Sequence, residues 1–112
     1  MIKPTVGRMI LYTPPAWDKQ GPKGMAVGTG KECAGIIVAV HGDKCINAVV
    51  FDGNGEAFSK TSVNLLQDDD KPYCDGEGND LGGYCKWMEY QKGQAAKTEE
   101  LEKKFQEEKQ TA

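Results

Sequence analysis

The residues Cys33-Ala34-Gly35-Ile36-Ile37-Val38-Ala39-Val40-His41, followed by Gly42-Asp43 and then Cys45-Ile46-Asn47-Ala48-Val49-Val50-Phe51, decide the fold. The first run is β-branched and almost continuously apolar, the pattern of a well-buried strand. Gly42-Asp43 ends it with a short turn and the second run returns, so the stretch predicts an antiparallel hairpin. Asp52-Gly53-Asn54-Gly55 is the next turn signal. It leads to a short strand around Glu56–Ser59, and Ser62–Leu66 follows as a strand or 3₁₀ turn. Upstream, Val6–Tyr12 is the first strand candidate. Downstream, Tyr84–Tyr90 alternates, with Tyr84, Lys86, Met88 and Tyr90 on one face and Cys85, Trp87 and Glu89 on the other. Five or six short strands in a meander predict an all-β domain. A small SH3-like barrel or a twisted antiparallel meander fits best, and an OB-type barrel is the alternative. Closure would remove exposed sheet edges.

Two connections are long. Thr13–Glu32 carries Pro14, Pro15, Pro22 and four glycines, and Gln67–Gly83 is polar, acidic and glycine-rich. Loops of this length usually bind something or cover a face of the domain. Gln94–Lys109 lacks glycine and proline and is full of good helix formers. Thr98 is placed to cap a helix beginning at Glu99. Leu101 and Phe105, at i and i+4, form a single apolar patch, too narrow for a core helix and too short for a coiled coil. That patch is either solvated or docked on a neighbouring subunit. Residues 1–93 therefore read as a barrel domain and 94–112 as a charged helical tail.

The chain has 112 residues and a net charge of −3, one domain's worth of sequence. Residues 1–66 balance at +2 and residues 67–112 at −5, so the acidic character is confined to the back third. A generic binder of long nucleic acid needs a basic field, which this sequence lacks. No apolar run approaches the roughly 20 residues that span a bilayer. Met1–Arg8 has no apolar core of the kind that predicts a secretory leader.

Several motifs fail on spacing. Gly28-Thr29-Gly30-Lys31 lacks the P-loop's earlier glycine, where Met25 stands, and its following Ser or Thr, where Glu32 stands. The Asp52 and Asp75 runs lack the glycine and glutamate of a calcium-binding EF-hand loop and read as turns. Cys33, Cys45, Cys74 and Cys85 contain no C-x-x-C pair, so no zinc or thioredoxin-type site is expected. Disulfides are not expected either. One histidine, His41, and scattered cysteines give acid–base or nucleophilic catalysis little to work with. The expectation is a protein that is not an enzyme and needs no metal or cofactor.

Three features point to binding. Arg8, the sole arginine, stands in an apolar strand and must pair with a carboxylate or meet an anionic ligand. Trp17 lies in a proline-bearing loop, where a base or sugar could stack on it. The run Lys86-Trp87-Met88-Glu89-Tyr90-Gln91-Lys92 interleaves cations, rings and an amide, the composition of a small-ligand pocket and also of a protein interface. The candidate ligand-binding set is Arg8, Trp17, Lys86, Trp87 and Tyr90.

Lys3-Pro4-Thr5-Val6-Gly7-Arg8, Val49-Val50-Phe51-Asp52 before Asn54-Gly55, Thr61-Ser62-Val63, and Trp87-Met88-Glu89-Tyr90-Gln91-Lys92-Gly93-Gln94-Ala95 resemble a family of small accessory proteins of tailed phages and prophages. The resemblance spans about residues 2–97 at scattered positions, and this chain is longer in both long loops. It implies a phage-encoded protein working in the cytoplasm of an infected bacterium. It suggests an anti-defence sponge, a homo-oligomer that sequesters a cyclic nucleotide or cyclic ADP-ribose signal without cleaving it. The other expectation is an interaction module that binds a host defence or virion protein.

Overall fold

The central hairpin forms as its sequence dictates: Cys33–Gly42 (β2) and Cys45–Phe51 (β3) pair antiparallel around the turn. The structure, a computed structural model, describes residues 1–19, 24–26, 32–68 and 70–111, apart from the side chains of Trp17, Lys19 and residues 108–111. Met9–Thr13 (β1) flanks β2 on one side, and Ala57–Leu66 (β4) flanks β3 on the other. Tyr84–Lys86 (β5) pairs with both β1 and β4 and closes a five-stranded barrel. The fold is the small SH3-like barrel that the strand pattern predicts, followed by one helix, Glu89–Thr111 (α1).

An odd number of strands cannot alternate in direction all the way round a ring. The unavoidable parallel pair here is β4–β5. A parallel connection must carry the chain back along the length of the sheet, which takes a dozen or more residues. The Gln67–Gly83 loop supplies that return. It is organised by Asp75, whose carboxylate accepts the N–H groups of Glu77 and Asn79 at 2.8 and 2.9 Å. A Cys74–Asp80 bridge closes its tip.

Side chains alternate in and out along each strand, so Ile10 and Tyr12, Cys33 and Ile37, Ile46, Ala48 and Val50, and Val63 and Leu65 fill the interior. Gly35 is opposed by Ile10 on one side and Val50 on the other. A Cβ there would lie 2.7 Å from Ile10 Cδ1 and 2.9 Å from Val50 Cγ1, so these two side chains occupy its space. The Thr13–Glu32 connection starts with a 3₁₀ turn, Ala16–Lys19, and brings Met25 into the core. Asp52 holds this connection down by accepting the N–H of Ala26 at 3.1 Å, while Gly53 donates its N–H to Ala26 O at 2.6 Å.

Three expectations are corrected. The pieces Glu56–Ser59 and Ser62–Leu66 are one strand, β4, bent by a bulge. Ile46 faces Val63 while Ala48 faces Lys60, and Ser62 adopts φ 51° with its N–H donated to Asn47 Oδ1 at 2.8 Å. Bulges of this kind turn barrel corners. The first strand begins at Met9 rather than Val6, because a turn at Thr5–Arg8 with Gly7 at φ 94° precedes it.

The third correction is the largest. β5 ends at Lys86 and the helix begins at Glu89, ten residues before the predicted start, inside the segment assigned to the barrel domain. Gln91, the third helical residue, accepts the Met88 N–H at 2.8 Å, the reach-back half of a capping box. Gly93 does not break the helix. A helical glycine costs only about 1 kcal/mol, and Ala95 packs against the core. Thr98 is no cap; its hydroxyl donates to Gln94 O at 3.0 Å within the helix.

Candidate functional site

The N-terminal segment runs antiparallel to the first turns of α1. At one end Gln91 Nε2 donates to Met9 O at 2.8 Å and the Arg8 guanidinium lies over the Trp87 ring, 5.9 Å from its centroid. At the other end Met1 faces Asp68 and Glu99. Between them lies a groove of about 710 Å³ lined by both elements, including Arg8, Tyr90 and Glu99. A smaller cleft of about 210 Å³ adjoins it and reaches down to Gln67 and Trp87.

Gln67 fixes this arrangement. Its side chain is buried, and its amide nitrogen donates to Ile2 O at 2.7 Å and Asp43 O at 2.9 Å. Its Oε1 accepts the Ile2 N–H at 3.2 Å and the Trp87 indole N–H at 2.9 Å. One carboxamide thereby joins the chain's start, the β2–β3 turn and the end of β5. The residue that sets the smaller cleft's floor escaped the sequence reading. A signal existed: Val63, Leu65 and Gln67 share one parity, so Gln67 falls on the buried face that the strand's alternation defines.

The five sequence-predicted ligand residues separate. Arg8 and Tyr90 both line the groove, and Tyr90 is 72% exposed. Trp87 lies beneath Arg8, only 1% exposed, so its ring packs in the core and backs the guanidinium instead of offering a free stacking face. Lys86 does not line the groove; it is ion-paired with Glu32 at 2.7 Å, and that contact raises its pKa. The side chain of Trp17 lies outside the described residues.

Arg8 is exposed, and among the described residues no carboxylate pairs with it. The structural ion pair expected as one explanation for this arginine is therefore not what holds it. Its partner is the Trp87 ring, at a separation within the cation–π range of about 6 Å. That contact positions the guanidinium without using its hydrogen-bond donors.

Elsewhere the polar groups hold structure together. Tyr12 Oη donates to Asp18 at 2.6 Å, Lys60 pairs with the same carboxylate at 2.8 Å, and the Tyr12 hydroxyl pKa is raised by burial and by Asp18. His41 Nε2 and Asn47 Oδ1 are hydrogen-bonded at 2.9 Å on the exposed side of the hairpin. All four cysteines are free thiols. Cys33 and Cys85 flank Tyr12 in register, one strand away on either side. Two strand spacings, about 9.6 Å, exceed the reach of a disulfide. Burial pushes the Cys85 thiol up to about 12 and raises that of Cys33.

Among the described residues no group of three or more His, Cys, Asp or Glu side chains is arranged to hold a metal ion, and no helix is long and apolar enough to cross a membrane. Comparison with protein-family models, with curated proteins and with solved structures finds no match for this chain.

Proposed function

We propose that the protein is a non-catalytic binding module that sequesters a small anionic ligand of nucleotide type in the groove between its N-terminal segment and α1. The observation that carries this reading is Arg8: a guanidinium held over Trp87, with no carboxylate partner among the described residues, in a groove that the exposed ring of Tyr90 also lines. Guanidinium donors suit phosphate oxygens, and an exposed ring suits a base. The non-catalytic part rests on chemistry. The buried thiols of Cys33 and Cys85 stay protonated at neutral pH, and His41 is engaged with Asn47. In the phage context that the sequence resemblance implies, such a module acts as a cytoplasmic anti-defence sponge. It holds a cyclic nucleotide or cyclic ADP-ribose signal and releases it intact.

Native mass spectrometry with cyclic dinucleotides and cyclic ADP-ribose isomers tests the reading. Uptake of a panel member, its return unchanged on heating, and loss of uptake in a folded Arg8→Ala variant are expected. A chain that ignores the whole panel, or converts a member to product, overturns it. The experiment also reports subunit number.

A second reading, a protein-interaction module, is favoured by Leu101 and Phe105, which are 66% and 61% exposed on α1. It expects a defined complex with a protein partner or a second copy that Leu101→Glu dissolves while the barrel stays folded.

A further inference from the structure

The barrel is aliphatic on its outside as well as its inside. Along β2 the interior takes Cys33, Gly35 and Ile37, which leaves Ala34, Ile36 and Val38 on the outer face. The same alternation turns Met9 and Leu11 of β1 and Val49 and Phe51 of β3 outward. Register makes these residues one surface: Met9 stands beside Ile36 and Ile36 beside Val49, while Leu11 stands beside Ala34. None of them is polar. β4 shows what solvent asks of this sheet, since its outer positions after Ala57 are the exposed Ser59 and Thr61. An almost continuously apolar run such as Cys33–Val40 is the pattern of a strand covered on both faces. The barrel interior covers one face. The other stands open, with Met9 46% and Val38 48% exposed.

We infer that a second copy of this chain covers this face, in a reversible dimer formed by sheet-on-sheet packing about a two-fold axis. Stacked sheets of this kind lie about 10 Å apart and interdigitate their facing side chains. The barrel is closed, so association through a face takes the place of pairing between strand edges. Charge selects the occupant. The patch is uncharged in a chain of net charge −3, so it offers a foreign protein nothing electrostatic to read. A copy of the same face brings no charge that must be desolvated, and a two-fold interface requires such self-complementarity. The cations at its margin are engaged elsewhere: Lys86, beside Leu11, is neutralised by Glu32, and Arg8, next to Met9 in sequence, turns onto Trp87. The composition agrees, because homodimer interfaces are the more apolar ones, whereas hot spots elsewhere lean on aromatic and arginine anchors. Size sets the strength. Three strands about 4.8 Å apart, with about five residues at about 3.3 Å each, make a patch on the order of 14 by 16 Å. That is the apolar centre of a standard interface of about 800 Å² per partner and less than the whole of one, so the copies exchange. The contact is independent of whatever occupies the groove beside α1.

Sedimentation velocity of the full chain across the micromolar range tests this. The mass should rise with concentration from that of one chain to that of two and stop there. Met9→Lys/Val38→Lys changes the two most open positions of the patch and should weaken association by about tenfold or more, with circular dichroism and melting temperature unchanged. Ile36→Thr keeps a β-branched residue in the strand and should weaken it by a smaller factor, so the face is still read if the lysines disturb folding. Raising the salt concentration should leave the native dimer intact, because an uncharged contact is not screened. Leu101→Glu, on α1, should leave it intact as well. A single chain at every concentration overturns the inference and leaves the face to a different protein. Association that dissolves in salt, or in Leu101→Glu but not in Met9→Lys/Val38→Lys, overturns it too and places the contact elsewhere. Assembly that continues past two copies overturns the two-fold arrangement.

Discussion

The indole N–H of Trp87 is donated to Oε1 of Gln67 at 2.9 Å, and through that bond the last core residue of the barrel is tied to the residue that follows its fourth strand. The same amide carries bonds to Ile2 and Asp43, so all of its donors and acceptor positions are in use. No described buried side-chain nitrogen or oxygen lacks a partner, and Gln67 is central to that balance. Such a network is costly to break, because each abandoned group stays buried.

Gln67→Leu keeps comparable volume but abandons the Trp87 and Ile2 N–H groups and the Ile2 and Asp43 carbonyls. A loss of about 2–4 kcal/mol is expected, since each buried unsatisfied group costs about 1–3 kcal/mol and some regain water. Urea unfolding followed by tryptophan fluorescence measures it. A loss below about 0.5 kcal/mol would mean that the amide is not a structural hub.

Gly35→Ala tests the packing between β1 and β3. The new methyl meets Ile10 Cδ1 and Val50 Cγ1 inside 3.0 Å, and both are wholly buried. Overpacking of this sort costs about 1–3 kcal/mol. The companion change Val50→Ala opens room on one side, so the double variant should recover part of the loss, and a thermodynamic cycle reads the coupling.

Asp52 makes stability depend on acid. Its carboxyl is held below the usual range by the N–H of Ala26 first, then by Glu56, with Asn54 contributing. A folded-state pKa below the unfolded value of about 3.9 contributes stability that is fully present above that value and lost as pH falls through the folded pKa. Asp70 and Asp75 shift in the same direction. Urea midpoints should therefore fall as pH drops below about 4. Asp52→Asn should be less stable at neutral pH and show a shallower acid limb; identical slopes would remove Asp52 from the account.

The thiols should react in order of burial. Cys74 is exposed, whereas Cys33 and Cys85 are buried with raised pKa values. Iodoacetamide at neutral pH should modify Cys74 rapidly and leave Cys33 and Cys85 intact until the barrel unfolds. Peptide mapping against time gives the order directly. Early labelling of Cys85 would contradict the packing described for β5.

The barrel was legible because its signals are local. The β2–β3 hairpin is a run of β-branched residues around a turn, and both long loops announce themselves through proline, glycine and acid. What escaped is set by tertiary contact. Nothing within Ala57–Leu66 alone says that Ser62 will continue a strand through a bulge, because the compensating acceptor is Asn47 on the neighbouring strand. Tyr84–Tyr90 alternates well enough to read as strand throughout. Its helical continuation depends on Gln91 capping Met88 and bonding Met9. For the groove, Arg8 and Tyr90 were visible as chemistry before their proximity was known. Glu99, which lines the groove's other end, stands in a tail whose composition suggests solvent, and it is exposed.

The odd strand count has a consequence for the order in which the chain can be completed. Until Tyr84–Lys86 arrives, β1 and β4 are the two raw edges of an open four-stranded sheet. A protein emerging N-terminus first from a ribosome thus carries unpaired backbone on both flanks while residues 67–83 are added, the condition that invites pairing with other chains. The bond from Trp87 to Gln67 is among the last to form, and it seals a sheet whose first strand was made more than seventy residues earlier. Slow closure, and a need for protection while the edges stand open, are built into this topology.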